Sequence, residues 1–205
     1  YLWRLRCPVN DALRILTFDL EDWFHLLDHE PTRYPHQWMT FESRVERNTE
    51  ALLNLLDRHQ QRATWFCLGW MAERFPELIR RVTEKHDIAC HTYAHQLLYQ
   101  QSPEQFRADT IRARMILEDV TGKQVTAFRA AGFSMTKQTP WFFEELVACG
   151  FTIDSSVFPA QRSHGGFPEF IHATPCRIRT KYGTLKEFPM SLASIAGTDI
   201  AYSGG

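Results

Sequence analysis

Three acidic residues close to one another near the start of the chain could act together in catalysis or metal binding. Asp19, Glu21 and Asp22 come directly after the mainly apolar residues 15–18. Carboxylates this close raise each other's pKa unless a cation shares them. An acidic loop facing water is the alternative interpretation. Because the C-terminal ends of buried strands line ligand sites in α/β folds, the position of these acids favours a site.

Two histidines further along the chain are candidate partners for these acids. His91 and His95 are four residues apart, and a helical turn between them would place both imidazoles on one face. A single histidine near a strand end is more often structural than a ligand, but a pair at this spacing is better evidence for a metal site. One carboxylate and two neutral imidazoles form a common zinc ligand set that leaves a fourth position open. No Glu follows His91, so the pair does not fit the HExxH metalloprotease helix.

A third candidate is Arg129, which follows a predicted strand over residues 125–128. Most arginines in this position pair with a surface acid. If Arg129 instead faces Asp19, its guanidinium would keep that carboxylate ionised and oriented.

Apolar strand-like segments alternate with helix-like segments along most of the chain. The predicted strands are residues 15–18, 63–68, 87–90, 125–128, 151–153 and 185–188. Predicted helices begin near residue 44 and cover residues 69–85 and 141–149; another begins at Pro103 behind a Ser102–Gln105 capping box and ends at Gly122. Residues 26–42 read as a long loop. This alternation predicts an α/β fold with a parallel sheet, and polar residues after four strands favour a barrel.

Length and composition limit the function classes. The 205 residues predict one domain, and a net charge of −1 with both signs mixed along the chain argues against nucleic-acid binding. No apolar run approaches the roughly 20 residues of a membrane span, and no signal peptide is recognisable. The five cysteines form no close pair, which predicts buried thiols in a reducing compartment and hence a cytoplasmic protein.

Four motifs occur in the order found in the polysaccharide deacetylase family, the NodB-homology domain of carbohydrate esterase family four. The chain resembles that family through residues 17–19 (Thr-Phe-Asp), 91–95 (His-Thr-Tyr-Ala-His), 129–134 (Arg-Ala-Ala-Gly-Phe-Ser) and 154–156 (Asp-Ser-Ser). The resemblance covers roughly residues 15–189. It implies a distorted (β/α)7-type barrel and hydrolysis of N-acetyl groups on an amino-sugar polysaccharide with a divalent metal, most simply Zn²⁺.

The resemblance also assigns roles to individual residues. Asp19 becomes the catalytic base, His91 and His95 become metal ligands, and Arg129 orients the base. Aromatic and polar residues around the motifs are implied along the substrate groove: Trp23, Tyr93, Phe133, Asp154 and Ser155. A backbone N–H near Tyr93 or in the Arg129 loop would stabilise the oxyanion.

Three longer segments resemble a bacterial subgroup linked to exopolysaccharide export and exosortase loci. They are residues 19–25 (DLEDWFH), 99–106 (YQQSPEQF) and 154–159 (DSSVFP). This closer similarity implies an exopolysaccharide as the substrate; it implies nothing about the oligomeric state.

The chain departs from the family pattern in two places. The first motif of the family has adjacent aspartates, the second a metal ligand, whereas this chain has Leu20 there. The ligand should then be Glu21 or Asp22, with Glu21 favoured. The Leu-Xaa-His motif that supplies the general acid is not found after the fourth motif, so the domain over residues 1–205 is expected to be incomplete at its C-terminus.

Two alternatives to polysaccharide deacetylation remain at this stage. An enzyme of the same fold that cleaves small cyclic amides, as allantoinase-like relatives do, would need an enclosed pocket rather than an open groove. A catalytically inactive carbohydrate-binding relative would not need the metal ligands.

Overall fold

A computed structural model describes residues 15–27, 29–170, 174–195 and 198–201. Its strands are β1 (Thr17–Leu20), β2 (Thr64–Cys67), β3 (Asp87–Cys90), β4 (Ala127–Phe128), β5 (Ile153–Asp154), β6 (Cys176–Thr180), β7 (Gly183–Glu187), β8 (Leu192–Ile195) and β9 (Thr198–Ala201). Its α-helices are α1 (Pro35–Trp38), α2 (Val45–Arg58), α3 (Gly69–Arg74), α4 (Pro76–Thr83), α5 (Pro103–Thr121) and α6 (Phe142–Ala148).

The main sheet has seven strands in the order β1-β2-β3-β4-β5-β7-β6 within the described residues. All neighbours are parallel except β6, which pairs antiparallel with β7. The predicted α/β fold with a mainly parallel sheet is confirmed, and the strand order is consistent with the predicted barrel. The hairpin of β6 and β7 and the separate β8–β9 hairpin were not predicted, apart from the strand near residues 185–188.

The register of the parallel strands determines where the polar residues meet. Leu20 pairs with Cys67, Cys67 with Cys90, Cys90 with Phe128, and Phe128 with Asp154. The residues that follow these strand ends therefore emerge at one edge of the sheet, although they lie far apart in sequence.

The single helix predicted over residues 69–85 is wrong. The structure has two helices, α3 and α4, and Phe75 between them has φ −128° and ψ 56°, outside the helical region. Pro76 is the first residue of α4. Its ring lacks an N–H and clashes with a preceding helical turn, so the proline ends one helix and begins the next.

Helix α5 has the predicted ends. The Ser102 side chain accepts the Gln105 N–H at 3.2 Å, and the Gln105 side chain accepts the Ser102 N–H at 2.8 Å. Gly122 ends the helix with φ 64°, in the left-handed region that glycine adopts without a Cβ penalty. The predicted long loop at 26–42 contains the short helix α1 and a 3-10 turn over Glu30–Thr32.

An aromatic cluster fastens α5 and α6 to the sheet. Phe106 on α5 is fully buried, with its ring 5.7 Å from that of Phe128 and 5.6 Å from that of Phe142. Burying each of these rings stabilises the fold by roughly 1.5–3 kcal/mol. The rigid layer supports the strand ends that carry the polar residues.

Cys67, Cys90 and Cys149 are buried free thiols, as predicted, and Cys176 is partly buried. Cys7 lies outside the described residues. None of the helices among the described residues is both long enough and apolar enough to cross a bilayer.

Candidate active site

Arg129 and Asp19 meet at the edge of the sheet, 110 residues apart in sequence. The Arg129 Nη1 donates to Asp19 Oδ1 at 2.7 Å, and Nη2 donates to Thr17 Oγ1 at 3.0 Å and to Ser155 Oγ at 3.1 Å. Its Nε donates to the Ser155 carbonyl at 3.3 Å. Because the Arg129 side chain is only 4% exposed, these partners fix the guanidinium, which in turn orients the Asp19 carboxylate.

Glu21, His91 and His95 lie together beside this pair. One candidate ligand atom from each residue lies within 4.8 Å of the others, and His95 Nε2 is 3.1 Å from Glu21 Oε2. His91 Nδ1 lies 2.8 Å from the Arg129 carbonyl. A carbonyl only accepts, so Nδ1 carries the proton and Nε2 keeps its lone pair for another partner.

The electrostatics of the three groups suit a cation. Burial, with a smaller contribution from the nearby charge of Asp19, raises the pKa of Glu21 to about 8. Burial also lowers the pKa of His91 and of His95, so both imidazoles are neutral at physiological pH. Glu21 Oε2 is inaccessible to solvent and accepts no hydrogen bond within the described residues, although the side chain as a whole is 31% exposed. Two neutral nitrogens and a buried carboxyl group that needs a neighbouring positive charge to ionise fit a divalent cation.

Residues 91–95 do not form the helical turn that would place both imidazoles on one face. The segment is a loop in which Thr92 (φ 66°) and His95 (φ 51°) adopt the left-handed conformation. The Thr92 hydroxyl accepts the His95 N–H at 3.1 Å. The two imidazole centroids are 5.2 Å apart, so the histidines meet as predicted but by a different backbone route.

Asp109 on α5 holds this loop and was missed from the sequence. Its carboxylate accepts the Tyr93 N–H at 2.7 Å and the Ala94 N–H at 3.0 Å. Burial raises the pKa of Asp109 to about 6 despite these two hydrogen bonds. No spacing pattern links a helix residue to a loop 15 positions earlier. Because Tyr93 N–H is engaged by Asp109, it is not available as an oxyanion donor.

Asp22, the second acid that the sequence left open, lies outside the group formed by Glu21 and the histidines. Its carboxylate instead accepts the Ser43 hydroxyl, the Arg44 N–H at 2.9 Å and the Val45 N–H at 3.3 Å. These amides begin α2, where the first N–H groups have no acceptor within the helix. Asp22 therefore stabilises the start of α2.

We expect Asp22→Ala to lower the free energy of unfolding by about 1–2 kcal/mol, the usual cost of losing a helix cap. The affinity for a divalent metal, measured with Zn²⁺, should stay unchanged. Denaturant unfolding and zinc titration of the same preparation test both statements. A loss of zinc affinity without a loss of stability would restore Asp22 as a ligand.

The five residues predicted along the substrate groove occupy different environments. Trp23 is 44% exposed and remains a candidate for stacking on a ring, with its Nε1 donating to the Glu42 carbonyl. Ser155 contacts Arg129, as described above. Phe133 is 4% exposed and packs edge-on against Phe158.

Two of the five cannot line the groove in this structure. The Tyr93 hydroxyl donates to Glu73 at 2.6 Å and accepts from Arg112 at 2.7 Å, so this ring lies between α3 and α5. Asp154 is fully buried beneath the site. Its local sequence resembled a groove-lining motif, but the side chain is buried, with Glu187 as its pairing partner on β7.

A cleft of about 270 Å³ reaches the site at His95. Its lining includes apolar, amide and cationic side chains from two loops and the start of α5: Leu26, Leu27, Arg33, Tyr34, Gln96, Leu97, Gln100 and Gln105. Leu26, Arg33, Tyr34, Gln100 and Gln105 are solvent-exposed. The cleft is therefore open along one side.

Residues 29–152 match the family model described as polysaccharide deacetylase. The chain belongs to the polysaccharide deacetylase family. This confirms the family resemblance inferred from the four motifs.

Individual polysaccharide deacetylases are similar over part of the chain. A peptidoglycan-N-acetylglucosamine deacetylase of Bacillus cereus is 32% identical over 99 residues, covering 47% of this chain and 36% of that protein. A peptidoglycan deacetylase of Helicobacter pylori is 27% identical over 107 residues, covering 52% of this chain and 36% of that protein. The alignments thus span little more than a third of these relatives.

Solved structures of the family have the same fold. A protein of Mycobacterium smegmatis assigned to the polysaccharide deacetylases superposes with a TM-score of 0.68 at 25% identity, covering 86% of this chain and 58% of the other. A family 4 carbohydrate esterase from Streptomyces lividans, solved with acetate, gives 0.52 at 23% identity, covering 69% and 60%.

Proposed function

We propose that the chain is a metal-dependent hydrolase that removes N-acetyl groups from an amino-sugar polysaccharide. The observation that carries the proposal is the grouping of Glu21, His91 and His95 within 4.8 Å, beside an Asp19 that Arg129 orients. The two nitrogens and one oxygen favour Zn²⁺ as the bound ion. We further propose an exopolysaccharide as the polymer, on the resemblance of residues 19–25, 99–106 and 154–159 to the export-linked subgroup.

Each residue then has a defined part in amide hydrolysis. A bound divalent ion supplies Lewis acidity toward water and the amide carbonyl. Asp19 accepts a proton from the attacking water, Arg129 keeps its carboxylate aimed, and the departing amine takes up a proton as the C–N bond breaks. His91 is fixed through Nδ1 by the Arg129 carbonyl. Arg129 therefore positions both the base Asp19 and the candidate metal ligand His91.

The developing negative charge on the amide oxygen needs a further donor. Ala130 N–H is engaged by the Ser156 hydroxyl at 2.8 Å, and Tyr93 N–H by Asp109. The 3-10 turn over Ala131–Phe133 begins directly after, and the first N–H groups of such a turn have no acceptor within it. We propose that Ala131 or Gly132 N–H stabilises the oxyanion.

The shape of the cleft favours a polymer over a small cyclic amide. Because exposed side chains line the cleft beside His95, a chain of sugars can continue past the reacting unit. A small ring would gain more from an enclosed pocket. Trp23, half-exposed near the acids, is suited to stacking on one sugar.

Acetate release tests the proposal. We expect the zinc-loaded protein to release acetate from N-acetylglucosamine oligomers, to stop after chelation and to recover when zinc is restored. Allantoin should not be hydrolysed. Hydrolysis of allantoin in place of the oligomers would favour the cyclic-amide alternative, and binding of the oligomers with neither zinc binding nor hydrolysis would favour a carbohydrate-binding relative.

A further inference from the structure

A pair of buried acids lies beneath the active site, on two neighbouring strands. Asp154 on β5 and Glu187 on β7 are direct partners in the parallel register. Both side chains are completely buried. Neither Asp154 Oδ2 nor Glu187 Oε2 accepts a hydrogen bond from any residue that the structure describes.

Two adjacent carboxylates in a dry interior cannot both carry charge. Burial raises the pKa of Asp154 to about 6, and burial together with the neighbouring Asp154 charge raises the pKa of Glu187 well above its ordinary value. One proton held between the two carboxyl groups would give each orphaned oxygen a partner and leave a single charge.

The other oxygens of the pair hold the segments around Arg129. Asp154 Oδ1 accepts the Ser156 hydroxyl at 2.6 Å, and the same hydroxyl accepts the Ala130 N–H at 2.8 Å. Ala130 directly follows Arg129. The pair is therefore two hydrogen bonds away from the backbone that carries the guanidinium.

Glu187 and the residue after it bind the loop that carries Ser155. Its Oε1 accepts the Val157 N–H at 3.2 Å, and the carbonyl of the next residue, Phe188, accepts the Ser155 hydroxyl at 3.0 Å. Ser155 in turn accepts two hydrogen bonds from Arg129. The loops after β4 and β5 are thus joined to each other and to the end of β7 by the two acids and the Phe188 carbonyl.

We propose that Asp154 and Glu187 share one proton and act as positioning residues that hold Arg129 against Asp19. This rests on the proposed function only in that Arg129 orients the base of the hydrolysis. It replaces substrate binding as the role of Asp154. Neither acid touches the substrate.

Two substitutions of Glu187 separate hydrogen bonding from bulk. Glu187→Gln keeps the shape, and its amide N–H can donate to an ionised Asp154, so kcat should stay within about threefold of the native value. Glu187→Leu keeps similar volume without a donor or acceptor and should lower kcat about 10- to 100-fold with KM within about twofold, as expected for a displaced catalytic group. Native kcat in Glu187→Leu would overturn the positioning role.

Ser156→Ala provides a milder second variant should Glu187→Leu fail to fold. It removes the link between Asp154 and Ala130 but leaves the acid pair in place. We expect faster hydrogen exchange of the Ala130 amide and a kcat lower by about 10-fold, again from misplacement of the arginine. Unchanged exchange and unchanged kcat would overturn the proposal.

The shared proton is tested without turnover. The infrared spectrum of the native protein minus that of Glu187→Gln at neutral pH should contain the band of one protonated carboxyl group. Its absence would overturn proton sharing. If the native protein releases no acetate, the proposed function fails, whereas the infrared band and the Ala130 exchange rate still decide whether the acid pair holds the loop.

Discussion

His95→Ala should abolish tight zinc binding and reduce acetate release to background. His95 Nε2 lies 3.1 Å from Glu21 Oε2, and only Glu21 and His91 would remain as ligands. Residues that merely support metal ligands cost about 10- to 100-fold in affinity when removed. Loss of a ligand itself should cost more than 100-fold. Zinc titration with a competing chelator measures the change.

The fold should survive this substitution. Burial lowers the pKa of His95 well below 6.5, so the ring is neutral at physiological pH. Removing it therefore leaves no buried acid without a positively charged partner. The segment is also held from outside by Asp109, which binds the Tyr93 and Ala94 amides. A cooperative unfolding transition close to that of the native protein would show that zinc was lost from a folded chain.

Asp19→Asn is the matched control for this experiment. Asp19 is not in the group of candidate ligands among the described residues, so zinc affinity should change little. Acetate release should nevertheless fall by about 10²–10⁴-fold, the usual contribution of a general base. If His95→Ala keeps both zinc and activity, the metal-dependent mechanism is wrong. If Asp19→Asn loses zinc, Asp19 is a ligand rather than the base.

The meeting of Asp19 and Arg129 could be predicted because it follows from local patterns. Each residue lies in or directly after a short apolar strand, and parallel strands bring their C-terminal ends to one edge of a sheet. The sequence does not need to reveal the strand order for this expectation to hold. The observed register, from Leu20 across to Asp154, accounts for their contact.

The orientation of other side chains could not be predicted because distant residues determine it. The turn that contains Thr92 and His95, both in the left-handed conformation, is held by Asp109 on α5. The sequence pattern of that helix indicates only which residues face the core, and it does not indicate a contact with the turn. Asp22 is adjacent to the predicted ligand Glu21, yet the amides at the start of α2 take its carboxylate. The positions of Asp109 and Asp22 both depend on backbone N–H groups that lack another acceptor, and no residue pattern in the sequence reveals these groups.

Pairing with a later strand accounts for the remaining difference, the burial of Asp154. Asp154 follows an apolar stretch just as Asp19 does, and the resemblance of its motif implied a place along the groove. β7 then pairs with β5 and sets Glu187 against Asp154. Because β7 begins almost 30 residues after β5 ends, the sequence pattern around residue 154 could not reveal that Asp154 is buried.

Arg129→Met should reduce both stability and turnover. The native guanidinium donates four hydrogen bonds to oxygen atoms of Asp19, Thr17 and Ser155, from a side chain that is 4% exposed. Removing one partner of a buried ion pair costs roughly 3–5 kcal/mol. Because Asp19 is 25% exposed, water can partly hydrate its carboxylate after the change. We therefore expect the free energy of unfolding, measured with denaturant, to fall by about 3 kcal/mol, the lower end of that range. Because Asp19 is no longer aimed, kcat should fall about 100-fold or more.

Arg80→Met is the matched control, since it removes another arginine–carboxylate pair away from the site. Arg80 binds Glu77 within α4, and the two side chains are 50% and 85% exposed. Its loss should cost no more than about 1 kcal/mol, as for other exposed ion pairs, and leave acetate release unchanged.

Arg129→Lys then separates charge from geometry. A lysine ammonium restores a positive charge near Asp19, but it is a point charge and cannot reproduce the planar fork that spans Asp19, Thr17 and Ser155. We therefore expect Arg129→Lys to regain part of the stability lost in Arg129→Met while kcat stays low. Full recovery of kcat in Arg129→Lys would mean that Arg129 acts through its charge alone, and that the hydrogen bonds holding it are not needed to aim the base.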